Sequence, residues 1–223
     1  MAEFDTFAST YQGLITENVR VTGEPSEYFA AYKAAYVTRR IAPPKESKVL
    51  DYGCGIGMLS KYLKEALPDA RIDGFDVSRE SVERIDVTLL NQGTFTYTLD
   101  ELGHSYDLVV LSNVLHHVKP TDRERLISDS ASRLAIGGKL VIFEHNPINP
   151  LTRWAVSQCP FDEDAILLPS RETRGYFSGK MRLMWRDYIV FFPRWLKWFR
   201  ALEPALRWCP MGAQYAVVVE RWS

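Results

Sequence analysis

Short apolar runs alternate along the chain with stretches in which apolar residues recur every three or four positions. The runs have the length of strands, and the stretches between them have the period of amphipathic helices. Alternation of this kind predicts a parallel sheet with helices on both faces. Strands are predicted at Val49–Asp51, Arg71–Asp76, Thr94–Thr98, Tyr106–Leu111, Lys139–Phe143, Arg182–Phe192 and Gln214–Glu220. The main helices are predicted at 26–42, Ser81–Asn91, Asp122–Ala135, Thr152–Cys159 and Ser170–Phe177.

The first predicted strand leads into a glycine-rich segment, KVLDYGCGIGMLS at Lys48–Ser60. The strand closes on Asp51, and glycines follow at Gly53, Gly55 and Gly57 before a helical pattern begins. Glycines allow a tight turn and leave room for a ligand against the backbone. The helix that follows presents free N–H groups and a partial positive charge. The segment therefore predicts a strand, a turn and a helix that bind an anionic group of a nucleotide-like cofactor.

A second acid, Asp76, ends the second predicted strand. A carboxylate at this distance from the glycine loop can accept hydrogen bonds from both hydroxyls of a ribose. The alternative is that Asp76 caps the helix that begins at Ser78–Glu80. The spacing after the loop favours the ribose.

The helix at 26–42 is predicted to begin with Ser26 as its cap and to end at Pro43–Pro44. Lys33 lies on this helix, and a solvated lysine is the usual fate of such a residue. The buried stripe is predicted to consist of Tyr28, Phe29, Tyr32, Tyr36 and Val37.

The pattern Asp-x-Gly-Cys-Gly-x-Gly resembles the first motif of class I S-adenosylmethionine-dependent methyltransferases. A dinucleotide fingerprint would need a third glycine where this chain has Met58 or Ser60. The resemblance covers residues 48–146 and implies an α/β, Rossmann-like, doubly wound sheet of seven strands. The implied strand order is 3-2-1-4-5-7-6, with the last strand antiparallel. The implied cofactor is S-adenosyl-L-methionine, with S-adenosyl-L-homocysteine as product.

The same resemblance implies roles for residues at the carboxyl ends of the strands. The cofactor-binding residues implied are Lys33, Asp51, Gly53, Cys54, Gly55, Gly57, Asp76, Val77, Leu99, Asp100, Ser112 and Asn113. The residues implied on the acceptor side are Tyr11, His116, Glu144 and Asn146. A hydroxyl acceptor also needs a base within hydrogen-bond reach, and the candidates are His145 first and His117 second. No set of metal ligands is predicted.

The chain is expected to form a single domain in three parts. Residues 1–45 are a helical cap, 46–146 the cofactor-binding core, and 147–223 the acceptor-side helices with a C-terminal hairpin that contains an inserted helix. A net charge of −1 creates no field that attracts nucleic acid. Three cysteines and an N-terminus without a basic or apolar leader segment favour a reduced, cytoplasmic setting.

The acceptor is expected to be a small molecule or a glycan rather than a nucleic acid. More loosely, the chain resembles bacterial methyltransferases of glycan and surface-polysaccharide synthesis, through His145–Pro147 and Cys159–Asp162. Asn146–Asn149 has only superficial similarity to the N-P-P-Y motif of amino-methylating enzymes and follows the wrong strand. An NAD(P)-dependent oxidoreductase of Rossmann type and a non-catalytic cofactor-binding protein stay open as alternatives.

The segment Arg194–Glu203, RWLKWFRALE, has one apolar face and one basic face on a helical wheel. A basic amphipathic helix with tryptophans on its apolar side is typical of weak contact with a membrane surface. The alternative, favoured here, is that the stripe packs on the sheet or on a second subunit of a homodimer. The apolar face consists of Trp195, Trp198, Phe199 and Leu202.

Overall fold

A computed structural model of the chain describes residues 23–159, 162–177 and 181–223. These residues form an α/β fold built on a seven-stranded sheet of order β3-β2-β1-β4-β5-β7-β6. Strand β7 runs antiparallel to both of its neighbours, while β1 to β5 pair in parallel. The predicted fold and strand order are therefore confirmed. The strands are β1 Lys48–Tyr52, β2 Arg71–Phe75, β3 Phe95–Thr96, β4 Tyr106–Ser112, β5 Leu134–His145, β6 Met181–Ile189 and β7 Gln214–Arg221.

Helices connect the strands on both faces of the sheet. The α-helices are α1 Ser26–Tyr36, α2 Met58–Ala66, α3 Arg79–Val82, α4 Val87–Leu90, α5 Pro120–Ser132, α6 Pro150–Ser157, α7 Ser170–Gly175 and α8 Glu203–Leu206. A π-helical turn, Val37–Ile41, continues α1. Short 3₁₀ segments lie at Leu99–Glu101, Leu115–His117 and Arg194–Leu202.

Alternate residues of the central strands pack against opposite helical layers, because successive side chains of a strand point to opposite faces. Leu50 and Val109 join a buried cluster that contains Ile127 of α5. Val49 joins a second cluster that contains Leu63 of α2. The apolar runs of the sequence are thus explained by burial on both faces, and the carboxyl ends of the strands are left free to form a site.

Several predicted boundaries are wrong. Strand β3 has only two residues, and β5 begins earlier than predicted, at Leu134. The single helix predicted at Ser81–Asn91 is replaced by α3 and α4. Asp86 separates them because its Oδ1 accepts a hydrogen bond from the Thr88 backbone N–H at 2.8 Å and so starts a new helix.

The start of α1 also differs from the prediction. Ser26 is the first helical residue, and its hydroxyl donates to the Glu27 carboxylate at 3.1 Å instead of capping the helix. The helix ends through the π-turn at Ala42, whose φ of 49° is left-handed. The buried face includes Lys33, whereas Phe29 and Tyr32 of the predicted stripe are only partly buried.

The insertion predicted between the last two strands is present as the 3₁₀ segment and α8, but its packing differs from the prediction. The segment is not one α-helix, since Leu196 has non-helical dihedral angles of φ −110° and ψ 21°. None of its residues from Arg194 to Leu202 is buried. Packing of the apolar stripe on the sheet, the first half of the favoured expectation, is therefore wrong: Trp195 is 68% exposed and Trp198 77%. Packing on a second subunit, the other half, stays a prediction.

The helices of the described part of the chain are all too short or too polar to cross a membrane. The three-part division of the chain at 45 and 146 stays a prediction.

Candidate functional site

A cavity of about 640 Å³ opens at the carboxyl ends of the parallel strands. Its walls come from the ends of β1, β2, β4 and β5, from the start of β7, and from side chains of α1 and α6. This is the edge of an open α/β sheet where ligands bind. The volume is that of a small-molecule site.

The glycine loop is held against β2 and lies close to β4. The backbone N–H groups of Gly53 and Cys54 donate to the Phe75 carbonyl at 2.7 and 2.9 Å. Gly53 has a φ of 86°, and a Cβ there would lie 2.4 Å from Cγ2 of Val114. Both the backbone conformation and the close approach therefore require glycine at this position.

Asp76 orients the loop from the end of β2. Its Oδ2 accepts from the Gly55 N–H at 2.7 Å, and its Oδ1 accepts from the Ser78 N–H at 2.9 Å. The cap of α3 is Ser78, whose hydroxyl oxygen accepts from the Ser81 N–H. The capping alternative for Asp76 is therefore wrong, and its carboxylate lines the cavity.

Asp51, at the end of β1, is a buried carboxylate with one unused oxygen. Its Oδ2 accepts a hydrogen bond from the Ser60 hydroxyl at 2.6 Å. Its Oδ1 is buried and has no hydrogen-bond donor among the described residues. Burial raises the pKa of Asp51 to about 6, although the Ser60 hydrogen bond and Lys33 act in the opposite direction.

Two amide oxygens on the cavity wall are also buried without a hydrogen-bond donor among the described residues. Within the described ranges, Oδ1 of Asn113 and Oε1 of Gln214 are buried and accept no hydrogen bond. Asn113 follows β4 with a left-handed φ of 58°, and Gln214 begins β7 opposite His145. A buried oxygen without a donor costs free energy, so a ligand that donates hydrogen bonds is favoured here.

Lys33 supplies a positive charge at the same wall. It is only 3% exposed, and its Nζ donates to the Ser112 hydroxyl at 2.8 Å. The expectation of a solvated lysine is therefore wrong. Burial lowers the pKa of Lys33 to about 8, against the opposing effects of Glu144 and Asp51.

A cluster of histidines and carboxylates occupies the other end of the cavity. His116 Nδ1 lies 2.6 Å from Oε2 of Glu144. Nε2 of His116 and Nε2 of His117 lie 3.5 and 3.4 Å from the same atom, Oδ1 of Asp162. The ring centroid of His145 is 5.1 Å from that of His116.

The neighbours of each imidazole set its charge. Burial favours the neutral form of His116, but Glu144 and Asp162 outweigh it and raise its pKa to about 9. Burial, and then the charge of His116, lower the pKa values of His117 and His145 to about 4. At neutral pH the cluster therefore holds a cationic His116 beside two neutral imidazoles.

The structure brings most of the residues predicted from the sequence to the cavity wall. Those on the wall are Lys33, Asp51, Gly53, Cys54, Gly55, Asp76, Val77, Ser112, Asn113, His116, His117 and His145. Those away from the wall are Gly57, Leu99, Asp100, Glu144 and Asn146. Contact of Leu99 and Asp100 with the adenine stays a prediction, and Tyr11 lies outside the described residues.

Asn146 and Asn149 have structural contacts. The Asn146 side chain is buried and donates from Nδ2 to the backbone carbonyls of Pro210 and Gly212. Asn149 caps α6 through Oδ1, which accepts from the N–H groups of Leu151 and Thr152. Of the two asparagines, Asn146 lies away from the cavity wall, whereas Asn149 lines the cavity while it caps α6.

Some wall residues were not predicted from the sequence. Asp162 lies in an acidic run, FDED, that gave no sign of its partners, and Gln214 is the first residue of a predicted strand. Aromatic residues from α1 and from the segment that follows β6 also line the cavity: Tyr28, Phe29, Phe191 and Phe192.

Comparison with known proteins identifies the family of this chain. A family described as "Methyltransferase domain" matches residues 26–211. The chain belongs to this family. Its members are class I S-adenosylmethionine-dependent methyltransferases, and S-adenosylmethionine is the cofactor, as the glycine motif predicts. Family membership decides for the methyltransferase over the oxidoreductase.

The similarity to individual relatives is limited both in sequence identity and in the length of chain that it covers. The chain is 32% identical over 157 residues to an uncharacterized protein, syc1184_c, of Synechococcus sp., across 66% of this chain. It is 29% identical over 150 residues to ribosomal RNA small subunit methyltransferase C of Chromohalobacter salexigens, across 64% of this chain. It spans 35% and 44% of the length of these two relatives.

Solved structures support the fold. Magnesium protoporphyrin IX methyltransferase from Synechocystis PCC 6803, crystallised with bound S-adenosylhomocysteine, aligns with a TM-score of 0.63 at 19% identity. The alignment covers 92% of this chain and 86% of that one.

Proposed function

We propose that this protein transfers the methyl group of S-adenosylmethionine to a hydroxyl group of a small-molecule or glycan-type acceptor. The observation that carries the cofactor assignment is the set of buried oxygens on the cavity wall that lack donors among the described residues. These are Oδ1 of Asp51, Oδ1 of Asn113 and Oε1 of Gln214. They match a ligand with an ammonium group, such as the methionine end of this cofactor.

The remaining polar groups fit the rest of the cofactor. Lys33 and Asp76 both line the cavity, and we expect the Lys33 ammonium to bind the cofactor's carboxylate and the Asp76 carboxylate to accept from the ribose hydroxyls. When bound, the cofactor supplies the electrophilic sulfonium methyl group. The protein's contribution is to align the acceptor with that methyl group and to exclude water.

His145 is the proposed base for the acceptor hydroxyl. It lies at the end of β5 on the cavity wall, next to the histidine cluster. A neutral imidazole has a free nitrogen that accepts a proton. The aromatic walls from α1 and from the segment after β6 suit an organic acceptor better than an extended polyanion.

Methylation of ribosomal RNA is the second candidate function, because several relatives are named ribosomal RNA small subunit methyltransferase C. The two are separated by incubating the protein with methyl-labelled cofactor and three substrates: a metabolite extract, a glycan fraction, and small ribosomal subunits. Label in a small molecule or glycan supports the proposal. Label only in the RNA would overturn it.

Cofactor affinity should depend on pH through Asp51. The pKa of this carboxyl is raised to about 6, so about a tenth of it is ionised at pH 5 and about nine tenths at pH 7. Only the ionised form pairs with the ligand's ammonium group. The dissociation constant for S-adenosylhomocysteine should therefore rise about tenfold as the pH falls from 7 to 5, measured by calorimetry.

Two variants control this measurement. Asp51→Asn should bind more weakly at pH 7 and lose the change between pH 5 and 7. Asp69→Asn, at an exposed position, should keep the wild-type dependence. A wild-type affinity that stays constant between pH 5 and 7 would contradict the contact with Asp51.

We also propose that the 3₁₀ segment Arg194–Leu202 contacts membrane surfaces that carry the acceptor. Trp195 and Trp198 are exposed, and the exposed cation Lys197 lies between them. These three side chains form an exposed surface that we call the patch. Trp195 also lines the cavity, so the patch adjoins the opening through which an acceptor would enter. Tryptophans and basic residues together favour the interface of an anionic membrane.

Sedimentation with anionic vesicles at low salt tests this contact. The Trp195→Ser/Trp198→Ser double variant should lose most of the wild-type binding, with little effect on folding because both side chains are exposed. Trp222→Ser is the matched control, because that exposed tryptophan follows the last residue of β7, whereas the cavity lies at the first residue of that strand, Gln214. No sedimentation of the wild type would end the hypothesis and leave a homodimer interface as the use of the patch.

A further inference from the structure

The histidine cluster contains three side chains whose ligand atoms converge. Nε2 of His116 and Nε2 of His117 each face Oδ1 of Asp162, at 3.5 and 3.4 Å, and the three atoms lie within 4.8 Å of one another. All three residues line the cavity. Two imidazoles and a carboxylate are a donor set that binds divalent transition metals.

The spacing suits a bound ion. Zn²⁺ binds histidine nitrogen and carboxylate oxygen at about 2.0–2.2 Å, so two ligands of a tetrahedral site lie about 3.4 Å apart. Both distances to Asp162 are close to this value. The two histidine nitrogens lie within 4.8 Å of each other, so the imidazoles must approach each other by up to about 1.4 Å to hold an ion with tetrahedral geometry.

A second carboxylate sets the orientation of His116. Glu144 lies 2.6 Å from Nδ1 of His116 and also accepts from the Leu115 N–H at 2.7 Å. The hydrogen bond from Nδ1 to a carboxylate leaves Nε2 as the metal-binding nitrogen, an arrangement that recurs around metal-bound histidines. The ion displaces to solvent the proton that Nε2 carries in the cationic form of His116. Glu144 is fully buried, so this orientation is fixed by the core.

Arg123 holds the two parts of the cluster together. Its Nε donates to the carbonyls of Leu115 and Val118, which flank the two histidines. Its Nη2 donates to the carbonyl of Ile166, and the Ile166 N–H donates to the carbonyl of His116. The segment that carries Asp162 is thereby fixed against the histidine turn before any ligand arrives.

We infer that His116, His117 and Asp162 bind one divalent transition-metal ion, with Zn²⁺ as the best-matched ion. Hard cations such as Mg²⁺ and Ca²⁺ prefer all-oxygen sites, so they fit this donor set poorly. Three protein ligands leave a coordination position facing the cavity, as in catalytic zinc sites. Resting on the proposed function, the ligand at that position is the acceptor's oxygen, polarised by the ion as a Lewis acid.

The test measures metal binding by the full-length protein without cofactor. After treatment with a chelator, ZnCl₂ is titrated by calorimetry, and CoCl₂ is titrated while the visible absorption of the bound ion is followed. The wild type should bind one ion of each. His117→Ala and Asp162→Asn should weaken binding at least about a hundredfold, and Glu144→Gln about 10–100-fold.

His104→Ala is the matched control, because His104 is exposed and lies outside the cavity; its metal affinity should equal that of the wild type. Variants are compared only where their affinity for S-adenosylhomocysteine shows that they fold. The absence of one-to-one binding in the wild type, or unchanged binding in both His117→Ala and Asp162→Asn, would overturn the inference.

The outcomes of these titrations distinguish a failure of the metal site from a failure of the proposed function. One-to-one metal binding that the variants lose would support the metal site even if no small molecule or glycan is methylated. Methylation of such an acceptor by a wild type that binds no metal would leave the proposed function standing and refute the metal site.

Discussion

Replacing His145 with alanine should lower turnover by about 10²–10⁴-fold, the usual contribution of a general base. This loss corresponds to about 3–5 kcal/mol in the activation barrier. Affinity for S-adenosylhomocysteine should barely change, because the polar contacts proposed for the cofactor come from Asp51, Lys33 and Asp76. Turnover is measured with the acceptor that takes up labelled methyl groups, and cofactor affinity is measured by calorimetry.

Two control measurements accompany the His145→Ala experiment. His104→Ala, at an exposed position, should keep wild-type turnover. Metal affinity of His145→Ala should stay at the wild-type level, since His145 is beside the three proposed ligands rather than one of them. A collapse of cofactor binding would make His145 a cofactor contact, and full turnover would show that the base lies elsewhere or is not needed.

Asp76→Ala should weaken binding of S-adenosylhomocysteine about a hundredfold or more. Hydrogen bonds to a charged group contribute about 1.5–3 kcal/mol each, and a ribose diol offers two. The wild type should show no comparable affinity for NAD. Calorimetry on the two proteins measures the effect, with the exposed Asp69→Ala as control.

Asp76 also holds the glycine loop through the Gly55 and Ser78 N–H groups, so lost affinity alone does not prove a ribose contact. An S-adenosylhomocysteine analogue without the two ribose hydroxyls separates the effects. The wild type should strongly prefer the natural ligand, and Asp76→Ala should lose that preference. An equal preference in both proteins would refute the contact and leave Asp76 as a support for the loop.

The glycine loop and the acid before it could be predicted because their determinants are local in sequence. The glycines at Gly53–Gly57 and the acid Asp51 lie within one strand–turn–helix unit, whose conformation depends on neighbouring residues. Periodicity predicted most of the helices and strands, while the implied strand order came from the resemblance. Boundaries failed where a single side-chain contact decided them, as Asp86 does between α3 and α4.

The burial of Lys33 could not be read from its own helix. Aromatic residues surround it in sequence, and the face of α1 that is buried depends on how the helix packs on α2 and the sheet. Once that packing places Lys33 at the end of β4, burial and the Ser112 hydrogen bond follow. The exposure of Trp195 and Trp198 could not be predicted from the sequence either, because an amphipathic pattern does not show whether its apolar face packs on the protein's own core.

The chain's sequence by itself determined the α/β fold class, the glycine loop and the cofactor, because these depend on short-range patterns and on one recognisable motif. Only the tertiary structure decided which side chains meet in the histidine cluster at the other end of the cavity. Asp162 meets His116 and His117 because Arg123 joins the two segments through the Ile166 backbone. Such contacts join residues far apart in the chain, and their geometry depends on packing that no local pattern encodes.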